Sequence, residues 1–134
     1  MTEIAKLLAE AKTIAVVGLS GDVFRPSYGV AAYMQEHGYR IIPVNPKETL
    51  ILGERCYPDL ASIPEHVDIV DVFRRSEFVP ALMREAIAIG ARAVWLQEGV
   101  VHAEAVCEGR TAGLIVVENR CLLKDHRRWL VSNS

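Results

Sequence analysis

The chain has little of what would place it in a specialised class. It has three cysteines, Cys56, Cys107 and Cys121, far apart and with no C-x-x-C pair. Neither a zinc cage nor a disulfide framework is indicated, and small buried thiols are expected. No apolar run approaches the ~18 residues of a membrane span. The opening residues, Met1-Thr2-Glu3-Ile4-Ala5-Lys6, put no basic segment ahead of an apolar one. A cytoplasmic protein of a reducing compartment is the expectation. Basic charge is not in excess either. The net charge of −2, with both signs spread along the chain, excludes the clustered cations of a nucleic-acid footprint, while leaving room for a local cationic spot that holds one small anion. The four histidines, His37, His66, His102 and His126, are scattered without metal-ligand spacing, and none pairs with a Ser or Cys in a readable triad. No repeat, low-complexity stretch or linker is visible.

What is present is the pattern of an α/β protein. A length of 134 residues, 51% hydrophobic and 24% charged, fits one globular domain over 1–134. Such a chain buries roughly two-thirds of its unfolded surface. Ile4, Leu7, Leu8 and Ala11 fall on one helical stripe. Residues 13–18 form a β-branched apolar run, the mark of a strand covered on both faces. A helix is predicted from Ser27, an N-cap type, to Gly38, and a second strand over 40–44. Pro43 inside that strand removes a ladder donor, so the strand either frays or is an edge at that level. Short extended and turn segments follow over 49–53 and 60–63. Further strands are predicted over 67–73, 93–96 and 114–117, alternating with helices that start at Ser76 or Glu77, at His102 and at Cys121. This alternation implies right-handed crossovers and a parallel sheet. The expected architecture is a Rossmann-like three-layer sandwich with a five-stranded parallel sheet in the order 3-2-1-4-5. Ligands of such sheets sit beyond the carboxyl ends of the strands.

Those ends carry the candidate residues. Gly18, Ser20 and Gly21 follow the first strand, in a loop whose amides, with those of the Ser27 helix start, can meet a diphosphate. The spacing is G-x-x-G rather than G-x-G-x-x-G, and a plain tight turn also accounts for it. Arg25 reads either as a phosphate contact or as a solvated loop cation. After the second strand come Asn45, Pro46 and Lys47, where an NAD-binding fold would place an acid. Lys47 can neutralise a ribose phosphate, as in NADP or coenzyme A, or be a surface lysine. Phe73, Arg74 and Arg75 follow the third strand. The two arginines can clamp phosphates or stack on adenine, or pair with Asp71 or Glu77. Gln97, Glu98 and Gly99 follow the fourth strand and suit a polar ligand group, with helix capping by Glu98 as the other reading. Cys121, beside Arg120 at a helix start, is either a buried or a semi-reactive thiol.

Taken together, the tips resemble the coenzyme A-binding domain family, stand-alone proteins similar to the N-terminal domain of the succinyl-CoA synthetase alpha subunit. The resemblance runs from about Ala5 to Arg127. It rests on Val17-Gly18-Leu19-Ser20 with Arg25-Pro26-Ser27-Tyr28, on Pro43-Val44-Asn45-Pro46-Lys47, on the stretch from Val67 to Arg75, on Val94-Trp95-Leu96-Gln97-Glu98-Gly99 and on Glu118-Asn119-Arg120-Cys121. It implies that Gly18, Ser20, Pro46 and Lys47 hold the nucleotide end of coenzyme A. It further implies that residues 73–75 lie along the adenine or pantetheine side, and that Gln97-Glu98-Gly99 matches the synthetase's Thr-Glu-Gly turn. The synthetase's second domain, with its phosphorylated histidine, has no counterpart here, so its ligase chemistry does not carry over. The leading expectation is a coenzyme A or acyl-CoA binder without catalysis of its own. An NAD(P)-binding redox module, a thiol enzyme using Cys121, and a subunit docking through Trp129-Leu130 or self-associating are the other readings.

Overall fold

The computed structural model describes residues 2–133. Met1 and Ser134, the outermost residues of the expected domain, lie outside the described residues. The chain opens with α1 (Glu3–Glu10), capped by Thr2, whose Oγ1 accepts from Ala5 N at 3.0 Å. Then come β1 (Thr13–Val17), α2 (Pro26–Glu36) and β2 (Arg40–Val44). A small hairpin, β3 (Leu50–Ile51) and β4 (Glu54–Arg55), leads to β5 (Ile69–Val72). A 3₁₀ turn over Ser76–Phe78 runs into α3 (Val79–Ala88), which takes Pro80 within its first turn. β6 (Ala93–Leu96), α4 (Ala103–Thr111), β7 (Ile115–Val117) and α5 (Leu122–Ser132) complete the chain.

The five-stranded sheet is parallel throughout, as expected, and flanked by helices in a Rossmann-like α/β fold. Alternate side chains of each strand feed two cores. Ile14, Val16, Ile41, Ile69 and Trp95 pack under α1, α2 and α5. Ala15, Val17, Ile42, Val70 and Leu96 pack under α3 and α4. This is the pattern of a sheet covered on both faces.

The strand order corrects the expectation. It is β2-β1-β5-β6-β7, so counted along these strands it is 2-1-3-4-5 rather than 3-2-1-4-5. The segment between β2 and β5 holds the hairpin and turns but no crossover helix among the described residues. β5 lies on the free side of β1, and Asp68, just before it, is bonded to the start of β1. Its Oδ2 accepts from Lys12 N (2.7 Å) and Thr13 N (3.1 Å), and its own N–H donates to Thr13 Oγ1 (2.9 Å). β2 is then an edge strand, where Pro43 needs no ladder donor on its outer side. A second correction concerns α2. Pro26 takes its first position and Arg25 the cap position, while Ser27 lies one residue inside and is buried.

Candidate functional site

β1 ends at Gly18, whose N–H donates to Val44 O at the end of β2 (3.0 Å). Its φ is +85°, a left-handed conformation that favours glycine. A Cβ there would stand 2.6 Å from Phe73 O and 3.0 Å from Arg74 Cδ. Glycine is thus required both by conformation and by the close approach of the β5 terminus. At this point the chain paths diverge, β1 leading through α2 to β2 on one side and β5 through α3 to β6 on the other. Open α/β sheets bind ligands at such a divergence.

The loops after β1 and β2 are stitched together. Asn45 Nδ2 donates to Leu19 O (2.9 Å), and Asn45 Oδ1 accepts from Lys47 N (2.8 Å). Gly18, Ser20, Asn45, Pro46 and Lys47 therefore share one rim, the last two being exposed. Lys47 has no ion pair among the described residues. The loop amides have acceptors inside the chain. Ser20 N donates to Ser27 Oγ (3.1 Å), Gly21 N to Glu48 Oε2 (2.7 Å) and Asp22 N to Ser20 Oγ (3.0 Å). Ser27 thus braces the loop rather than capping α2. Arg25 faces Asp22 at 3.9 Å, both side chains exposed.

Beside this rim lies a cavity of about 500 Å³ at the ends of β5 and β6. Phe73, Arg74, Arg75, Gln97 and Glu98, all singled out from the sequence, line it. Pro26, Val30 and Val100 supply apolar wall, and Cys121, the cap residue of α5, borders it. The Arg74 guanidinium stacks over the Phe78 ring at 4.2 Å and has no carboxylate partner among the described residues. Arg75 does pair with Glu77 (3.5 Å), but at an exposed position. Glu98 pairs with Lys124 (3.1 Å) rather than capping a helix. Gly99 N donates to Asn119 Oδ1 (2.7 Å), tying the turns after β6 and β7 together. Ser27, Arg25 and the Asn45–Lys47 group do not line this cavity.

One member entered the sequence reading only as a partner for the arginines. Asp71, in the middle of β5, is 1% exposed and does not meet the arginines. Its Oδ1 accepts from Gln97 Nε2 at 2.6 Å, and its Oδ2 has no partner among the described residues. Burial pushes this carboxyl up to about 7, against the opposing pull of the Gln97 hydrogen bond. An acid inside an otherwise β-branched run was the available signal. None of the histidines lines the cavity. His66 meets Asp68, His102 caps α4, and His37 and His126 pack around Tyr33.

The model of the CoA binding domain family matches residues 12–127. The uncharacterized protein YneT of Bacillus subtilis is 40% identical over 124 residues, 92% of this chain and 92% of its own length. The ADP-forming acetate–CoA ligase II of Archaeoglobus fulgidus is 32% identical over 83 residues, 60% of this chain but 12% of the ligase. A hypothetical protein from Pyrococcus horikoshii OT3 superposes with a TM-score of 0.93 at 39% identity, covering 97% of this chain and 93% of that one. The cell-free ID.343 structure from Thermus thermophilus gives a TM-score of 0.92 at 39% identity, over 96% of this chain and 99% of that one.

Proposed function

Because the chain belongs to the CoA binding domain family, we propose that it binds coenzyme A or an acyl-CoA across the carboxyl ends of β1, β2, β5 and β6. The carrying observation is that the family match spans every strand end bordering the rim and the cavity. Coenzyme A is a nucleotide bearing a 3′-phosphate and a diphosphate, with a long, mostly uncharged pantetheine arm. In this reading the unpaired Lys47 meets the ribose phosphate, and Arg74 meets the diphosphate near the Gly18 bend. The arm enters the 500 Å³ cavity, whose walls of Pro26, Val30 and Val100 suit it. The reading is one of binding, and the ligase of Archaeoglobus fulgidus is matched over only 12% of its length.

Thermal melts with coenzyme A, acetyl-CoA, NADH and NADPH test this. A ligand at about a hundred times its Kd adds about 2.7 kcal/mol. For a domain of this size that is a Tm rise of roughly 10 °C. Coenzyme A or its acetyl ester is expected to produce it. A shift with NADPH alone overturns the reading.

A further inference from the structure

We infer that Asp71 is a positioning residue that acts through Gln97 to make the floor of the cavity a hydrogen-bond acceptor, selecting a ligand arm that presents an amide N–H there. The inference rests on the coenzyme A reading above, and names the feature of the pantetheine arm that the site reads.

Asp71 lies between Val16 of β1 and Trp95 of β6 in the sheet register, within a run of Ile69, Val70 and Val72. Fold stability gives no account of an acid there. A buried carboxyl with one hydrogen bond costs free energy, and its Oδ2 is left without a partner among the described residues. Valine would fit the strand and remove that cost. What the acid does instead is hold Gln97. Asp71 Oδ1 is an acceptor whether the carboxyl is ionised or carries its proton on Oδ2, and Gln97 turns its NH₂ toward it in the 2.6 Å contact. That orientation directs Gln97 Oε1 away from Asp71. Gln97 is 5% exposed and lines the cavity, and its backbone is pinned by Val100 N donating to Gln97 O at 2.9 Å. A carboxamide free to flip can present either end, whereas one clamped by Asp71 spends an N–H there and keeps its oxygen, on the other branch of the amide, as the acceptor. Pantetheine carries amide N–H groups that such an oxygen can accept from. A functional residue retained at a cost to stability is the general signature of a working site.

The test is calorimetric titration of coenzyme A and of adenosine 3′,5′-bisphosphate, which lacks the arm, into the wild type, Asp71→Val and Asp71→Asn, with a melting curve for each. Asp71→Val is expected to melt no lower than wild type yet to bind coenzyme A about tenfold more weakly, the size of one net hydrogen bond. Its affinity for the bisphosphate should stay within about twofold, since one lost contact accounts for the whole effect. Asp71→Asn, whose amide can still turn its oxygen to Gln97 although it no longer enforces that orientation, should recover part of the loss. The inference is overturned if Asp71→Val binds coenzyme A like wild type, if it weakens both ligands equally, or if Asp71→Asn is as weak as Asp71→Val. Wild-type protein that binds neither ligand overturns the coenzyme A reading and this inference with it; wild-type binding of coenzyme A without an Asp71→Val effect overturns the inference alone.

Discussion

Replacing Asp71 by Asn should change how stability depends on pH. The folded carboxyl is held up to about 7, against an ordinary value of 3.8. Between those limits the unfolded chain is ionised at this position while the folded chain keeps the proton. The folded state then binds more protons, so stability falls as pH rises through the window, by about 1.4 kcal/mol per pH unit, and levels off above the folded pKa. The whole window amounts to about 4 kcal/mol. Other groups act with the opposite sign. Burial and the neighbouring His37 hold His126 below its ordinary value, so its contribution is present above 6.5 and is lost as pH falls toward its lowered folded value. Glu65, paired with Arg40, and Asp68, hydrogen-bonded by Lys12 and Thr13, are held below the usual carboxylate range, and their contributions are lost only under more acidic conditions. These groups are common to both proteins and cancel in the difference. The substituted amide also buries an NH₂ in place of the unpartnered oxygen, a pH-independent cost of about 1–3 kcal/mol. Urea unfolding of wild type and Asp71→Asn from pH 4.5 to 8.5, with m-values checked for equality, reads the difference. The variant should gain on wild type progressively up to about pH 7, by roughly 3–4 kcal/mol in all. Two parallel curves separated by a constant offset would refute the reasoning.

Gly18→Ala should lower stability by about 2–4 kcal/mol in the same assay, since it combines a positive-φ penalty with a Cβ driven against the Phe73 carbonyl. A loss below about 0.5 kcal/mol, the size of an ordinary surface change, would mean the β1 and β5 ends are not in that contact. Lys47→Glu should weaken coenzyme A much more than 3′-dephospho-coenzyme A in calorimetry; equal losses would remove the assigned role of Lys47.

Much of this architecture was legible because buried strands announce themselves. The runs that became β1, β5, β6 and β7 are β-branched and apolar, and the glycines and caps between them punctuate the helices. The strand order was not legible in the same way. It depends on where the segment before β5 docks, and there Asp68 hydrogen-bonds the start of β1, a contact between residues 55 and 56 positions apart. Pro43 did carry the right hint, since an edge position for β2 fits only the observed order. At the site, Phe73, Arg74, Arg75, Gln97 and Glu98 were found because they follow strands, and all of them border the cavity. Asp71 entered the sequence reading only as a partner for the arginines, because period and composition mark a strand but do not show which neighbour a buried acid meets. The loop glycines suggested open amides, whereas Ser20, Ser27 and the sequence-distant Glu48 already accept from the loop.

The outer margins of the sheet bear on how copies of this chain can associate. Alongside β2, Tyr57 N donates to Pro43 O (3.0 Å) and Asn45 N to Tyr57 O (2.9 Å), so the chain supplies its own neighbour at the end of that strand. Alongside β7, a strand of three residues, the Arg110 guanidinium donates to Val116 O (3.0 Å). An exposed strand margin is a template for adding another chain, and occupying its polar groups blunts that hazard. At these points the sheet margins offer less of a template for a second copy than bare strands would, which leaves the helical faces and the loops at the strand tips as the more open surfaces.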